Sequence, residues 1–168
     1  QGIYPLRIAV NLSPRQFNQS NLTNFVVDIL HETGLNPHYL ELELTESTLV
    51  QNPDIAIAML KRFKSLGIRI SIDDFGTGYS ALSQLKKFPF DVLKIDRSFV
   101  CQLTEDSRDE AITTAILEMA RSLKLKVVAE GVETLSQLNF LKGHHCDEIQ
   151  GYWFSPPLSA EAFAELLS

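Results

Sequence analysis

Six short runs with strand character begin near residues 6, 39, 68, 91, 126 and 147, and a segment with helical apolar spacing follows each of them. Strands that recur after every helix pair in parallel, because each crossover returns the chain to the end it started from. Units of this kind close into a (β/α)8 barrel or spread into a doubly wound sheet. The strands are expected over Leu6–Val10, Tyr39–Leu44, Ile68–Ile72, Asp91–Ile95, Lys126–Ala129 and Asp147–Ile149. Helices are expected over Asn21–Thr33, from an Asn52 cap and Pro53 to Leu66, over Ser80–Lys87, over Arg108–Leu123, from a Thr134 cap to Gly143, and over Ser159–Leu167. Their apolar stripes include Leu22, Phe25, Val26, Ile29 and Leu30; Ile55, Met59, Phe63 and Leu66; Ile112, Ala115, Ile116 and Met119; and Leu135, Leu138 and Leu141.

The placement of polar residues chooses between the two architectures. Asn11, Glu43, Asp73, Asp74, Lys94, Glu130 and Gln150 fall at the C-terminal ends of the strands, and all six strands contribute. In a barrel these ends meet on one face; in a doubly wound sheet only those beside the switch point meet. The fold class is therefore α/β, a TIM-type (β/α)8 barrel. Such a barrel has eight strands and about 250 residues, whereas this chain has 168 residues and six strand signals. The barrel is expected to be N-terminally incomplete, with exposed edges that invite a second molecule, a possible homodimer. Gln1 is not an initiator methionine, which also marks the chain as part of something longer.

A formal net charge of −6 argues against a nucleic-acid polymer or an anionic membrane surface as partner. A small anionic ligand is compatible with it only if metal ions supply the positive charge. Cys101 and Cys146 make no disulfide framework and fit a reducing, cytoplasmic setting. No apolar run approaches the roughly 18 residues of a membrane span, so no membrane contact by this segment is expected.

The stretch S-I-D-D-F-G-T-G-Y-S over residues 71–80 carries the densest chemistry. Two adjacent anions, Asp73 and Asp74, cost energy unless a cation sits between them. A divalent metal is the usual answer; an Asp-rich turn after a strand is the plainer one. Asn11 and Gln150 are turn formers or caps on one reading and ligands on the other. Glu43 shares its strand face with Glu41, and an inward glutamate in a parallel sheet requires a cation. Lys94, inside V-L-K-I, is costly there unless paired, and Glu130 follows V-V-A with the same logic. Arg69, on the next strand, is the nearest candidate by sequence for a cation beside Glu41. His31, His38, His144 and His145 read as loop and surface residues.

The segments N-L-S-P-R-Q-F (11–17), E-L-T-E-S (43–47), D-D-F-G-T-G-Y-S (73–80), L-K-I-D-R-S-F-V (93–100), V-V-A-E-G-V-E-T (127–134) and Q-G-Y-W-F-S-P-P-L (150–158) resemble, in order, the motifs of the EAL domain family. The resemblance runs along the chain and corresponds to the C-terminal two-thirds of such a domain, residues 1–168 forming a partial EAL domain. The Glu-Ala-Leu tripeptide itself is absent. The resemblance implies a phosphodiesterase that hydrolyses cyclic di-GMP to the linear dinucleotide pGpG with two Mg²⁺ or Mn²⁺ ions. It implies Asn11, Glu43, Asp73, Asp74, Glu130 and Gln150 as metal ligands, with Asp73 bridging, and Lys94 and Glu130 as catalytic residues. It further implies that Glu133, Tyr152 and Pro157 bind substrate, and that Glu46, Gly76 and Gly78 support the loop after Asp74. An upstream GGDEF or sensor domain is implied as partner, with the parent protein cytoplasmic or anchored to the inner membrane and facing the cytoplasm. The rival is a catalytically inactive cyclic di-GMP receptor. Such members have lost ligands or the lysine, whereas every position that this chain allows to be checked is kept.

Overall fold

The computed structural model describes residues 6–49, 53–77, 85–103 and 107–167. The Asn52 cap, Gly78 and most of the helix expected over residues 80–87 lie outside them. Six strands form one sheet: β1 (Ile8–Asn11), β2 (Leu40–Thr45), β3 (Arg69–Phe75), β4 (Val92–Ile95), β5 (Lys126–Glu130) and β6 (Glu148–Gln150). All neighbours pair in parallel, and the spatial order is the sequence order β1-β2-β3-β4-β5-β6. A doubly wound sheet reverses its order at a switch point; this one never does. It is the winding of a barrel, six strands of it.

The longer helices are α2 (Leu22–Thr33), α4 (Pro53–Ser65), α6 (Ser107–Ser122), α7 (Leu135–Gly143) and α8 (Ala160–Leu166). Single turns α1 (Pro14–Phe17), α3 (Glu46–Leu49) and α5 (Arg97–Val100) begin just after β1, β2 and β4, and no apolar periodicity foretells segments so short. Thr134 caps α7 with a reciprocal capping box through Gln137, and Ser159 caps α8.

Strand register sorts the side chains into two faces. Leu42 lies beside Ile70, Leu44 beside Ile72, and Ile72 beside Leu93, which lies beside Val127; Ile95 lies beside Ala129. These outward residues are buried under the helices together with Leu60, Phe63, Ile116 and Leu117, and they form the core. The other face carries Glu41, Glu43, Arg69, Ser71, Asp73, Lys94 and Glu130 with Ala9, Val92 and Val128 among them, so most of the inward side chains are polar or charged.

Helix faces differ from the periodicity reading. On α6 the buried residues are Thr113, Ile116, Leu117 and Ala120, while Ile112 and Ala115 are exposed. Small Thr113 and Ala120 let α6 approach α5 and β5 closely, and the Thr113 hydroxyl donates to the Phe99 carbonyl at 3.5 Å. On α4 the buried face is Ala56, Leu60 and Phe63, with Ile55 exposed. Phe25 and Ile29 of α2 and Leu135 of α7 are also exposed. In each case the helix has more apolar residues than its contact with the sheet covers. Strand β3 runs through Phe75 rather than ending at Ile72, which places Asp73 and Asp74 within the strand.

Candidate active site

The site begins with an irregularity. Adjacent strand residues point to opposite faces, which would send Asp73 and Asp74 apart. Between Ile72 and Phe75 the register with β4 shifts, and Asp74 adopts a left-handed backbone with φ of 54°. Non-glycine residues seldom take this conformation, and bulges of this kind re-aim side chains. Here one carboxylate oxygen of each aspartate and one of Glu130 on β5 lie within 4.8 Å of one another.

Lys94 on β4 is the hub. Its Nζ stands 2.7 Å from Glu130 Oε1, 2.9 Å from Glu43 Oε1 and 3.2 Å from Asp73 Oδ1, with the side chain only 7% exposed. Burial acts to lower the Lys94 pKa, but the hydrogen bonds to Glu130 and Glu43 and the charges of Glu130 and Asp73 outweigh it, and the net direction is upward. Burial raises the Glu130 pKa against the pull of Lys94, and the charges of Asp73 and Glu43 add to the rise. Asp74 is raised as well, first by burial and then by the charges of Asp73 and Asp96. Three carboxylates therefore share one ammonium group, and Glu130 and Asp74 are pushed toward protonation first by burial and then by the acids around them.

The donor set suits a hard divalent cation: carboxylate oxygens, with the amides of Asn11 and Gln150 beside them in register. Asn11 pairs with Glu43 across β1 and β2, and Gln150 pairs with Glu130 across β6 and β5. Both amide residues are exposed. Asp96 is the residue that the sequence reading left without a role. It stands just past β4, accepts from the Ser98 N–H at 3.0 Å as the cap of α5, and adds its charge beside Asp74. Its signal was present, an acid just past a strand end, as with Glu130.

The remaining expected residues sit on the rim. Glu46 is buried, and its Oε1 accepts from the Gly76 N–H at 3.0 Å; its Oε2 has no partner among the described residues. Gly76 has φ of 99°, and a β-carbon there would stand 2.8 Å from the Phe99 ring, so both conformation and space require glycine. Glu133 pairs with Arg97 at 2.8 Å, and Arg97 packs across Gly131. Tyr152 and Pro157 are exposed along an open groove shared with Phe154, Leu158 and Phe163. Among the described residues, no hydrogen bond or ion pair ties Glu133, Tyr152 or Pro157 to the carboxylate cluster. Glu41 and Arg69, expected partners in the interior, do meet: Nε to Oε2 is 3.3 Å, a single contact rather than a two-fold fork.

The family model described as EAL domain matches residues 1–157. Cyclic di-GMP phosphodiesterase NbdA of Pseudomonas aeruginosa is 48% identical over 162 residues, which is 96% of this chain and 21% of that protein. The chain thus spans about a fifth of the length of that relative. Among solved structures, the PaMucR phosphodiesterase in complex with c-di-GMP superposes with a TM-score of 0.90 at 46% identity, covering 94% of this chain and 64% of that one. BlrP1 of Klebsiella pneumoniae, in a manganese/cy-diGMP complex, superposes with a TM-score of 0.82 at 33% identity, covering 90% of this chain and 39% of that one. No helix among the described residues is long and apolar enough to cross a membrane.

Proposed function

The chain belongs to the EAL domain family, and from that premise we propose that it builds most of the active site of a phosphodiesterase that opens one phosphodiester bond of cyclic di-GMP to give linear pGpG. The observation that carries the reading is the convergence of Glu43, Asp73 and Glu130 on Lys94, with Asp74 beside Asp73 and Glu130 and the charge of Asp96 acting on Asp74, at the C-terminal ends of the strands. So many acids beside one cation suit a site completed by metal ions and an anionic substrate. Asn11, Glu43, Asp73, Asp74, Glu130 and Gln150 would hold two Mg²⁺ or Mn²⁺ ions, with Asp73 between them. Such a pair of ions activates water, neutralises the phosphate and stabilises the leaving oxygen.

The chain's own groups do the rest. Lys94 is held as an ammonium by three carboxylates; when those carboxylates turn to the ions, the groups that raise its pKa are withdrawn, and its Nζ is free to orient the attacking water and handle its proton. Glu130 completes the ligand set and holds Lys94 in place. Glu46 braces the backbone of Gly76, which keeps Asp74 in its left-handed conformation. Glu133, oriented by Arg97, meets the substrate away from the scissile bond, and Tyr152 and Pro157 line its far end. In the full-length protein, an upstream GGDEF or sensor domain regulates the site, and the exposed edges favour a homodimer.

The test is turnover of cyclic di-GMP by the full-length protein with Mg²⁺ or Mn²⁺, followed by chromatography of the product. Linear pGpG that vanishes with EDTA supports the reading. Saturable binding without any turnover overturns it in favour of a receptor.

A further inference from the structure

Below the acidic cluster lies a second charged layer that the proposed chemistry does not use. Glu41 and Arg69 stand opposite each other in register, and Glu43 stands opposite Ser71, the next inward pair up the barrel. The layers are two residues apart, about 7 Å along the strand, a step that an extended arginine side chain covers. Glu41 is buried, Ser71 is fully buried, and Glu41 is the one carboxylate within ion-pair distance of Arg69 among the described residues. Ser71 is too short to wall off the layer above; its hydroxyl donates to the Leu42 carbonyl at 3.4 Å and also lies within hydrogen-bonding reach of Glu41.

A guanidinium as little exposed as that of Arg69, 13%, is costly without an anion beside it. If Glu41 lost its charge, the nearest inward carboxylates would be those of the layer above, Glu43 and then Asp73. An arginine fork grips a carboxylate more tightly and more directionally than an ammonium group does. We infer that Glu41 is a positioning residue: it holds Arg69 down in the lower layer and so keeps Glu43 available to the cations of the site. The inference rests on the reading of that site as a metal centre, and it assigns the pair a purpose other than stability.

The asymmetry of the pair makes it testable. The full-length protein and its variants are titrated with Mn²⁺ alone, read by electron paramagnetic resonance, with thermal unfolding followed in parallel. Glu41→Gln should weaken Mn²⁺ binding at least tenfold. Arg69→Gln, which removes the competitor, should bind Mn²⁺ within threefold of the parent even where its melting temperature falls. The double variant Glu41→Gln/Arg69→Gln should recover the parent affinity. A merely structural pair predicts equal losses for both single variants and no recovery, and that result overturns the inference, as does parental affinity in Glu41→Gln. Should Glu41→Gln fail to fold, the other two variants decide: a tenfold loss in either refutes the inference. A parent protein that binds no Mn²⁺ overturns the metal reading and the inference with it, whereas a binding parent with an unaffected Glu41→Gln overturns the inference alone.

Discussion

The two ends of the sheet handle their acids in opposite ways. At the N-terminal end, Asp91 and Asp147 precede β4 and β6, and each accepts a backbone N–H from the strand beside it, Ile70 at 2.9 Å and Val127 at 2.9 Å. Asp91 is also paired with Lys64 from α4. These acids have partners that fold with them and complete a strand edge. At the C-terminal end, three acids crowd one lysine with Asp74 and Asp96 close by, Asp74 sits in a left-handed backbone, and two carboxyl pKa values are driven upward. An arrangement that is poor for folding and persists beside a bulge marks a candidate functional site. On the proposed reading Asp91 and Asp147 at the N-terminal end serve stability and the C-terminal end serves chemistry, which is the division expected of a barrel.

The comparison breaks if substitutions at the two ends have similar effects. The largest effect is expected at Asp73. Asp73→Asn should lower turnover of cyclic di-GMP by about 10³-fold or more, because on the proposed reading it removes the shared ligand of a two-ion site, and should leave the melting temperature unchanged or higher. Lys94→Ala should cost roughly 10²–10⁴ in kcat, the range of a lost proton-handling group, while equilibrium dialysis still detects bound substrate. Loss of binding in parallel with turnover would make Lys94 a substrate clamp instead.

Smaller effects should appear in stability rather than rate. Gly151→Ala would place a β-carbon 2.2 Å from the Val132 carbonyl oxygen, in the segment where the Val132 N–H donates to Gln150 and the Trp153 N–H donates to Val132. Backbone must shift there, and denaturant unfolding should show a loss of about 2–3 kcal/mol. Asp91→Ala strands the buried Ile70 N–H and should cost about 1–3 kcal/mol, with kcat within twofold of the parent. A large kcat defect in Asp91→Ala, with normal stability, would erase the distinction between the ends.

Much of this was readable in the residues themselves. Alternation along Leu40–Leu44 separates a leucine face from a glutamate face, and the structure keeps that separation. Polar residues at every strand end foretell a single winding direction, which the unbroken strand order bears out. The Glu41–Arg69 pair followed from the same alternation once the strands were placed in order. The bulge at Asp74 did not, because the extra residue depends on how β3 pairs with β4, a fact of register and not of composition. The helix stripes failed where apolar residues outnumber the places available under the helix: periodicity ranks Ile112 and Ile55 with the core, and only the sheet's outer surface decides that Thr113, Ala120 and Ala56 go in. Asp96 went unassigned because an acid that caps a helix and an acid that faces a cluster look alike in sequence.

Crystals of the full-length protein grown with Mn²⁺ and measured at the manganese absorption edge test the central claim most directly. The account predicts two anomalous peaks at the C-terminal end of the sheet, with Asp73 contacting both, Glu43, Asp74 and Glu130 around them, and none beside Asp91 or Asp147. No peak at that end, with Glu43, Asp73 and Glu130 still closed on Lys94 at saturating Mn²⁺, would contradict it.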